Sequence, residues 1–325
     1  MLILRYLDFD ISHFPVYLHY MSTAFVYPGQ GSQYVGMGQD LYENYPEIKD
    51  LYLQANEILG IEISSISFGG PEDKLKQTFI TQPAIVLHSV AATRLVKNKE
   101  ASYTAGHSLG EFSALIKAGA LSFEDGLKLV QLRGELMQKA GEENKGTMAA
   151  IIGLDTIKII EVCRDASEHG IVQVANFNSP GQIVISGSVE GVRSAMVLAK
   201  ERGAKMAKEL VVHGAFHSPL MESAKEDFEV ALDYTEFKKV QIPVYTNVHA
   251  KPITKDTELE FIKRSLYDQL TSSVRWDESV MNMINDGARE FIELGPGKVL
   301  QGLIKRIDST VTIKGVDKAE DITKL

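Results

Sequence analysis

Short apolar runs alternate with longer amphipathic stretches along most of this chain. Thr23 to Tyr27 is a compact apolar run and reads as a buried strand. Residues 40 to 60 carry Asp40, Glu43, Glu47 and Asp50 on a solvated face, which predicts a helix ending at Gly60. Pro83 in Gln82-Pro83-Ala84 suits the first position of another helix, and Ile85, Val86, Val90 and Leu95 follow at the spacing of a buried stripe. Ala101 to Ala105 reads as a short strand and Glu111 to Ala118 as a helix. Phe123 to Ala140 reads as one long amphipathic helix.

The rhythm changes at Thr147. Strand pattern at 147–154, helix at 156–169, strands at 172–176 and 182–186, helix at 189–202 and strand at 205–211 give the order β-α-β-β-α-β. Asn178-Ser179-Pro180-Gly181 supplies the turn between the two middle strands. Helix and strand patterns then resume. Leu220–Leu232, Glu258–Leu270 and Asp277–Asp286 read as helices, Val240–Asn247 and Phe291–Leu294 as strands, and a last helix starts at Val299. Strands alternating with helices predict a mainly parallel sheet.

Composition narrows the function classes. The 325 residues carry a net charge of −9, which argues against a general nucleic-acid binder. Cys163 is the one cysteine, so no internal disulfide forms; its apolar neighbours Ile159, Ile160 and Val162 predict a buried filler. No apolar run approaches the ~18 residues of a membrane span. Met1-Leu2-Ile3-Leu4-Arg5 starts like a signal peptide, but Asp8 and Asp10 interrupt it and no small-residue cleavage site follows. Residues 1–20 are expected to be a non-native or misassigned extension upstream of Met21.

Gly106-His107-Ser108-Leu109-Gly110 is a G-x-S-x-G pattern set between a strand and a helix. Flanking glycines let the chain turn sharply, and the turn lifts Ser108 toward the exposed amides of a helix N-terminus. The same pattern also fits a plain glycine-bounded turn with an incidental serine. The fold expected is α/β: a larger α/β-hydrolase-like domain from 21–145 and 213–325, with an inserted ferredoxin-like domain at 146–212.

A serine nucleophile needs a base and a group to orient it. His217, in Gly214-Ala215-Phe216-His217-Ser218, sits in a loop where the chain re-enters the larger domain. Read alone, it is more readily a structural histidine than a base. His213 stands nearby, but no cysteine or carboxylate cluster completes a metal site with it.

Seven motifs occur in order: Tyr27-Pro28-Gly29-Gln30-Gly31-Ser32-Gln33, Thr81-Gln82-Pro83-Ala84, Gly106-His107-Ser108-Leu109-Gly110-Glu111, Gln131-Leu132-Arg133-Gly134, Asn176-Phe177-Asn178-Ser179-Pro180-Gly181-Gln182, Gly214-Ala215-Phe216-His217-Ser218 and Gly295-Pro296-Gly297-Lys298-Val299-Leu300. From about residue 22 to about 310 the chain resembles the malonyl-CoA:acyl-carrier-protein transacylase family, related to the acyltransferase domains of polyketide synthases.

The resemblance implies roles at the matching positions. Ser108 accepts the acyl group and His217 carries its proton. The backbone carbonyl of Gln269 orients His217, and the backbone N–H groups of Gln30 and Leu109 form an oxyanion hole. Arg133, 25 residues past Ser108, presents a planar fork to the malonyl carboxylate. Phe216, His107 and Asn178 match positions near the substrate, and Phe216 there bears on malonyl against methylmalonyl selection. Read alone, Arg133 is a surface helix arginine and Phe216 a buried aromatic.

The resemblance further implies a cytoplasmic enzyme without metal or cofactor, acting on malonyl-CoA and acyl carrier protein. A monomer is expected, because no motif demands a partner subunit. Lys200, Arg202, Lys205 and Lys208, and Lys298, Lys305 and Arg306, are candidate docking groups for an acidic carrier, or simply solvated charge. The rival readings are a free-standing polyketide acyltransferase, a serine thioesterase or other hydrolase sharing the elbow, and a non-catalytic scaffold.

Overall fold

A computed structural model describes residues 22–212 and 214–325, and two sheets organise them. The expected extension at 1–20 and the pairing of His213 with His217 lie outside the described residues. The strands are β1 (Ser22–Tyr27), β2 (Tyr103–Gly106), β3 (Gly146–Ile152), β4 (Val172–Ser179), β5 (Gln182–Ser188), β6 (Met206–Glu209), β7 (Val244–Tyr245), β8 (Pro252–Ile253), β9 (Val274–Arg275), β10 (Ala288–Leu294) and β11 (Thr312–Val316).

The larger sheet runs β11-β10-β1-β2-β7-β8, parallel at every pairing except β7 with β8. The molecule is therefore α/β with a mainly parallel sheet. Ala24, Phe25, Val26 and Tyr27 of β1 are all fully buried, as a central parallel strand covered on both faces requires. The carboxyl ends of β1, β2, β7 and β10 lead into Pro28-Gly29-Gln30, His107-Ser108, Thr246-Asn247 and Gly295-Pro296-Gly297. In open α/β sheets this edge is where ligands bind.

The second sheet runs β6-β3-β5-β4-β9. Its first four strands come from the βαββαβ stretch and pair antiparallel. The fifth, β9, lies beside β4 in parallel and comes from residues far downstream, so the two halves of the chain share this sheet. The helices Thr156–Ala166 and Val189–Glu201 cover one face, burying Ile159, Val162, Cys163, Val192 and Ala195. Burial pushes the Cys163 thiol up to about 12, in keeping with an inert filler.

Several elements depart from the pattern-based expectation. The helix expected over 40–60 is two helices, Gln39–Asn44 and Pro46–Leu59; Pro46 has no amide to continue the first and instead opens the second. Pro83 does not open its helix but lies inside Thr78–Leu95. That first turn is anchored by tertiary contacts: Thr78 N–H donates to Gln138 Oε1 at 3.1 Å, and the Phe79 backbone packs against Gly134, where a Cβ would come within 2.7 Å. The stretch 220–232 splits into a 3₁₀ turn, Pro219–Ala224, and the helix Lys225–Tyr234. The strand expected over 240–247 shrinks to β7; Pro243 before it accepts from Thr104 N–H at 2.9 Å but has no N–H to donate. Strand β11 and a short helix, Ala319–Ile322, follow the helix Val299–Ile307, which is not the last element.

Candidate active site

The turn after β2 is set by steric exclusion. A Cβ on Gly106 would collide with the Gly110 backbone, and one on Gly110 would collide with the Tyr27 carbonyl of β1. Only glycine lets the helix Gly110–Lys117 start so close to the sheet. Ser108 at the apex takes a left-handed backbone, φ 52°. Asn247, at the end of β7, holds the turn: its Oδ1 accepts from Ser108 N–H at 2.6 Å and its Nδ2 donates to Gly106 O at 2.7 Å.

His217 also has a left-handed backbone, φ 58°, and is 3% exposed. Its Nδ1 lies 2.9 Å from the Gln269 main-chain carbonyl. A carbonyl only accepts, so Nδ1 carries the proton and Nε2 is the free base. Nε2 is 2.8 Å from Ser108 Oγ. Burial first, then repulsion from Arg133, pushes the imidazole down to about 3, so it is neutral at ordinary pH. Gln173 Nε2 donates to His217 O at 2.8 Å and fixes the loop from the second sheet.

Arg133 is not on the surface. It projects from the helix Phe123–Glu143 into the site and is 1% exposed. Nη1 donates to Gln82 Oε1 at 2.7 Å; Nη2 donates to Gln269 Oε1 at 2.9 Å and to Ser108 Oγ at 3.1 Å. Its Nε is buried without a partner among the described residues. A cation this close to Oγ favours negative charge on the serine oxygen and on a bound anion alike.

A cavity of about 260 Å³ opens above Ser108. Gln30, His107, Leu109, Asn178, Phe216 and Arg133 all line it, so the sequence-expected site residues other than Gln269 share one cleft with Ser108 and His217. Gln269 is fully buried directly behind them. His107 Nε2 and Asn178 Oδ1 are 2.8 Å apart, linking the elbow to β4. Neither Gln30 N–H nor Leu109 N–H donates to an acceptor among the described residues.

Gln82, Glu111, Asn247 and Gln173 of β4 went unassigned in the sequence. Gln82 and Glu111 stand inside quoted motifs but show no function without their partners. Asn247 follows a two-residue strand and carries no local signal. Burial pushes the Glu111 carboxyl up to about 7, while its hydrogen bonds from Asn247 and Gln269 and the Arg133 charge pull the other way. Of the basic candidates, Arg202 pairs with Asp165 at 2.5 Å, Lys200 Nζ donates to Lys205 O at 3.2 Å, and Arg306 donates to Gln182, which lines the cleft. Among the described residues there is no group of three or more His, Cys, Asp or Glu that could hold a metal, and no helix is long and apolar enough to cross a membrane.

Residues 24–323 match the acyl transferase domain family. The malonyl CoA-acyl carrier protein transacylase of Bacillus subtilis is 46% identical over 304 residues, covering 92% of this chain and 94% of that protein. Its namesake from Haemophilus influenzae is 46% identical over 288 residues, covering 87% and 91%. The crystal structure of an acyl carrier protein S-malonyltransferase from Vibrio cholerae superposes with a TM-score of 0.89 at 43% identity, covering 93% of this chain and 99% of that one. A malonyl-transacylase in complex with its type II PKS acyl-carrier protein gives a TM-score of 0.89 at 40% identity, covering 93% and 98%. With its elbow serine, neutral histidine and buried arginine in one cleft, the chain belongs to the malonyl-CoA:acyl-carrier-protein transacylase family of acyltransferases.

Proposed function

We propose that this enzyme moves a malonyl group from malonyl-CoA to the phosphopantetheine thiol of acyl carrier protein, in fatty-acid biosynthesis. The observation that carries the reading is that Ser108 Oγ is within hydrogen-bond distance of both His217 Nε2, at 2.8 Å, and Arg133 Nη2, at 3.1 Å. The first contact makes the serine a nucleophile. The second puts a guanidinium where an acyl group ending in a carboxylate needs one. A general hydrolase needs only the first.

Ser108 Oγ attacks the thioester carbonyl as its proton passes to His217 Nε2. The Gln269 carbonyl holds the imidazole and supports the imidazolium that forms. The oxyanion rests on the N–H groups of Gln30 and Leu109, which have no competing acceptor among the described residues. The intermediate collapses, the C–S bond breaks, and coenzyme A leaves with the proton from His217. The carrier thiol repeats the cycle on the malonyl-Ser108 ester, a ping-pong course. Phe216 limits the room beside the malonyl α-carbon, and His107 with Asn178 shapes the wall opposite. Met137, Met148, Val184 and Leu300 make the cleft largely apolar, which disfavours water as the second nucleophile.

In this reading the enzyme needs no cofactor or metal and works as a cytoplasmic monomer. Its α/β-hydrolase-like part (21–145 and 213–325) carries the nucleophile and base, and its inserted ferredoxin-like part (146–212) closes the cleft. The acidic carrier docks on basic groups such as Arg306 at the cleft mouth. A polyketide carrier is the second reading, favoured by the solved relative bound to a type II PKS acyl-carrier protein.

The test is intact-protein mass after brief incubation with malonyl-CoA, beside acetyl-CoA and methylmalonyl-CoA. A malonyl adduct is expected on the parent and none on Ser108→Ala. Arg133→Ala should lose malonyl preference and accept acetyl. Folded parent that forms no adduct with any of the three would overturn the reading.

A further inference from the structure

Glu111 has no part in the scheme above, yet it is 2% exposed beneath the elbow. Its Oε2 accepts from Asn247 N–H at 3.0 Å and from Gln269 Nε2 at 2.8 Å. Gln269 in turn touches every working part of the site. Its main-chain oxygen accepts from His217 Nδ1–H, its Oε1 accepts from Arg133 Nη2, and its Nε2 also donates to Ser108 O at 3.2 Å.

The side-chain amide of Gln269 therefore lies between an anion and a cation. Its NH₂ faces the Glu111 carboxylate and its C=O faces the Arg133 guanidinium. Turned over, it would set N–H against N–H at Arg133 and oxygen against carboxylate at Glu111, leaving buried groups unsatisfied at both ends. Ionised above about pH 7, Glu111 joins the Ser108 carbonyl in selecting one orientation, and that orientation fixes the Nη2 edge of Arg133. Gln82 Oε1 meets the Nη1 edge, its own Nε2 donating to Met137 Sδ at 3.6 Å. The fork is held from behind, its position set before any acyl group arrives.

We infer that Glu111 is a positioning residue for substrate selection: acting through the Gln269 side-chain amide, its carboxylate sets where Arg133 meets the acyl group and so enforces preference for an acyl thioester that ends in a carboxylate. The inference rests on the malonyl reading of Arg133. It separates two functions of one buried carboxylate. Oxygen acceptance from Asn247 supports the elbow, whereas negative charge, relayed through Gln269, supports selectivity.

Glu111→Gln separates them, because its amide oxygen can still accept from Asn247 N–H and Gln269 Nε2 while the charge is gone. The readouts, taken at about pH 8 where Glu111 is ionised, are malonyl transfer kinetics to carrier protein and the rates of Ser108 adduct formation from malonyl-CoA and acetyl-CoA. In Glu111→Gln the malonyl KM should rise by roughly tenfold with kcat little changed, the size expected for weakening one charge-assisted contact. Acetyl loading should stay within about twofold of the parent, so the malonyl-over-acetyl ratio falls by roughly the same tenfold. Glu111→Asp keeps the charge and should hold that ratio within about threefold of the parent.

A Glu111→Gln protein with parental malonyl KM overturns the inference. So does a parallel loss of malonyl and acetyl loading, which marks elbow support alone, and so does Glu111→Asp losing selectivity while folded. Should Glu111→Gln not fold, Glu111→Asp decides by the same ratio. A parent that takes no malonyl group fails at the earlier step and sinks the malonyl reading itself.

Discussion

Ser108 Oγ and His217 Nε2 meet at 2.8 Å, and both residues hold left-handed backbones to do so, with φ of 52° and 58°. Histidine is among the residues enriched in that region, whereas Ser108 is none of glycine, asparagine, aspartate or histidine and bears the greater cost. Strain of this kind persists where the surroundings over-determine it. Here Asn247 pins Ser108 from β7, and Gln173 and Gln269 pin the His217 loop from two other directions.

That strain is measurable at Ser108. Ser108→Ala and Ser108→Gly both remove the hydroxyl, and only glycine is free at this φ. Ser108→Gly should therefore be more stable than Ser108→Ala by about 0.5–1 kcal/mol, the left-handed penalty less the entropy cost of glycine. Urea midpoints of the two variants give the difference directly. Ser108→Ala matching or exceeding Ser108→Gly would mean the turn stores no strain.

How much of this was readable beforehand divides by range. The elbow, the long helix carrying Arg133 and the βαββαβ stretch follow from local periodicity and turn chemistry, and all three elements appear close to their expected bounds. The resemblance supplied Gln269 as a partner of His217, although 52 residues separate them. Elements anchored by distant contacts were misjudged. The start of the Pro83 helix depends on Gln138 and Gly134, and β7 is short beside Pro243, which accepts from β2 but has no N–H to donate. Asn247 and Glu111 escaped for the same reason: their roles exist only once β7, the elbow and Gln269 are adjacent. Arg133 shows the reverse, since amphipathic helix patterning alone puts an arginine in solvent and the fold buries it.

Gly110 is a second place where one atom decides the geometry. An added Cβ would meet the Tyr27 carbonyl in β1, backbone that cannot move without breaking the parallel pairing of β1 with β2. Gly110→Ala should lose about 2–3 kcal/mol, at the upper end for overpacking, and acylation should fall with it because the elbow shifts. Thermal unfolding together with adduct formation tests this; parental stability would show that the helix has room to retreat.

Asn247 offers a cleaner separation of chemistry from binding. Asn247→Ala leaves Ser108 N–H and Gly106 C=O without partners inside the protein, worth about 1–3 kcal/mol of stability for each group left unsatisfied. Arg133 keeps its contacts to Gln82 and Gln269. Single-turnover acylation should slow while the concentration of malonyl-CoA giving half the maximal rate stays near the parental value. A large rise in that concentration at unchanged rate would place Asn247 in substrate binding instead.

His217 and Glu111 titrate with opposite sense in the same pH window. Burial lowers His217 from 6.5 to about 3, so its contribution to stability is complete above pH 6.5 and is lost as pH falls toward 3. Burial raises Glu111 from 4.5 to about 7, so its contribution is complete below pH 4.5 and is lost as pH rises through 7. Between pH 7.5 and 5 the two changes oppose each other at about 2 kcal/mol each, so the parent partly hides both. His217→Gln removes the loss on acidification, and it should weaken less than the parent over that step. Glu111→Gln removes the compensating gain, and it should weaken more. Urea unfolding of the three proteins at both pH values reads the two slopes. Three equal slopes would mean that neither group carries its shift. The same neutrality of His217 predicts that acylation by acetyl-CoA, which has no carboxylate to pair with Arg133, keeps its rate down to pH 5; a falling acid limb centred near 6.5 would show that the histidine titrates normally in the folded site.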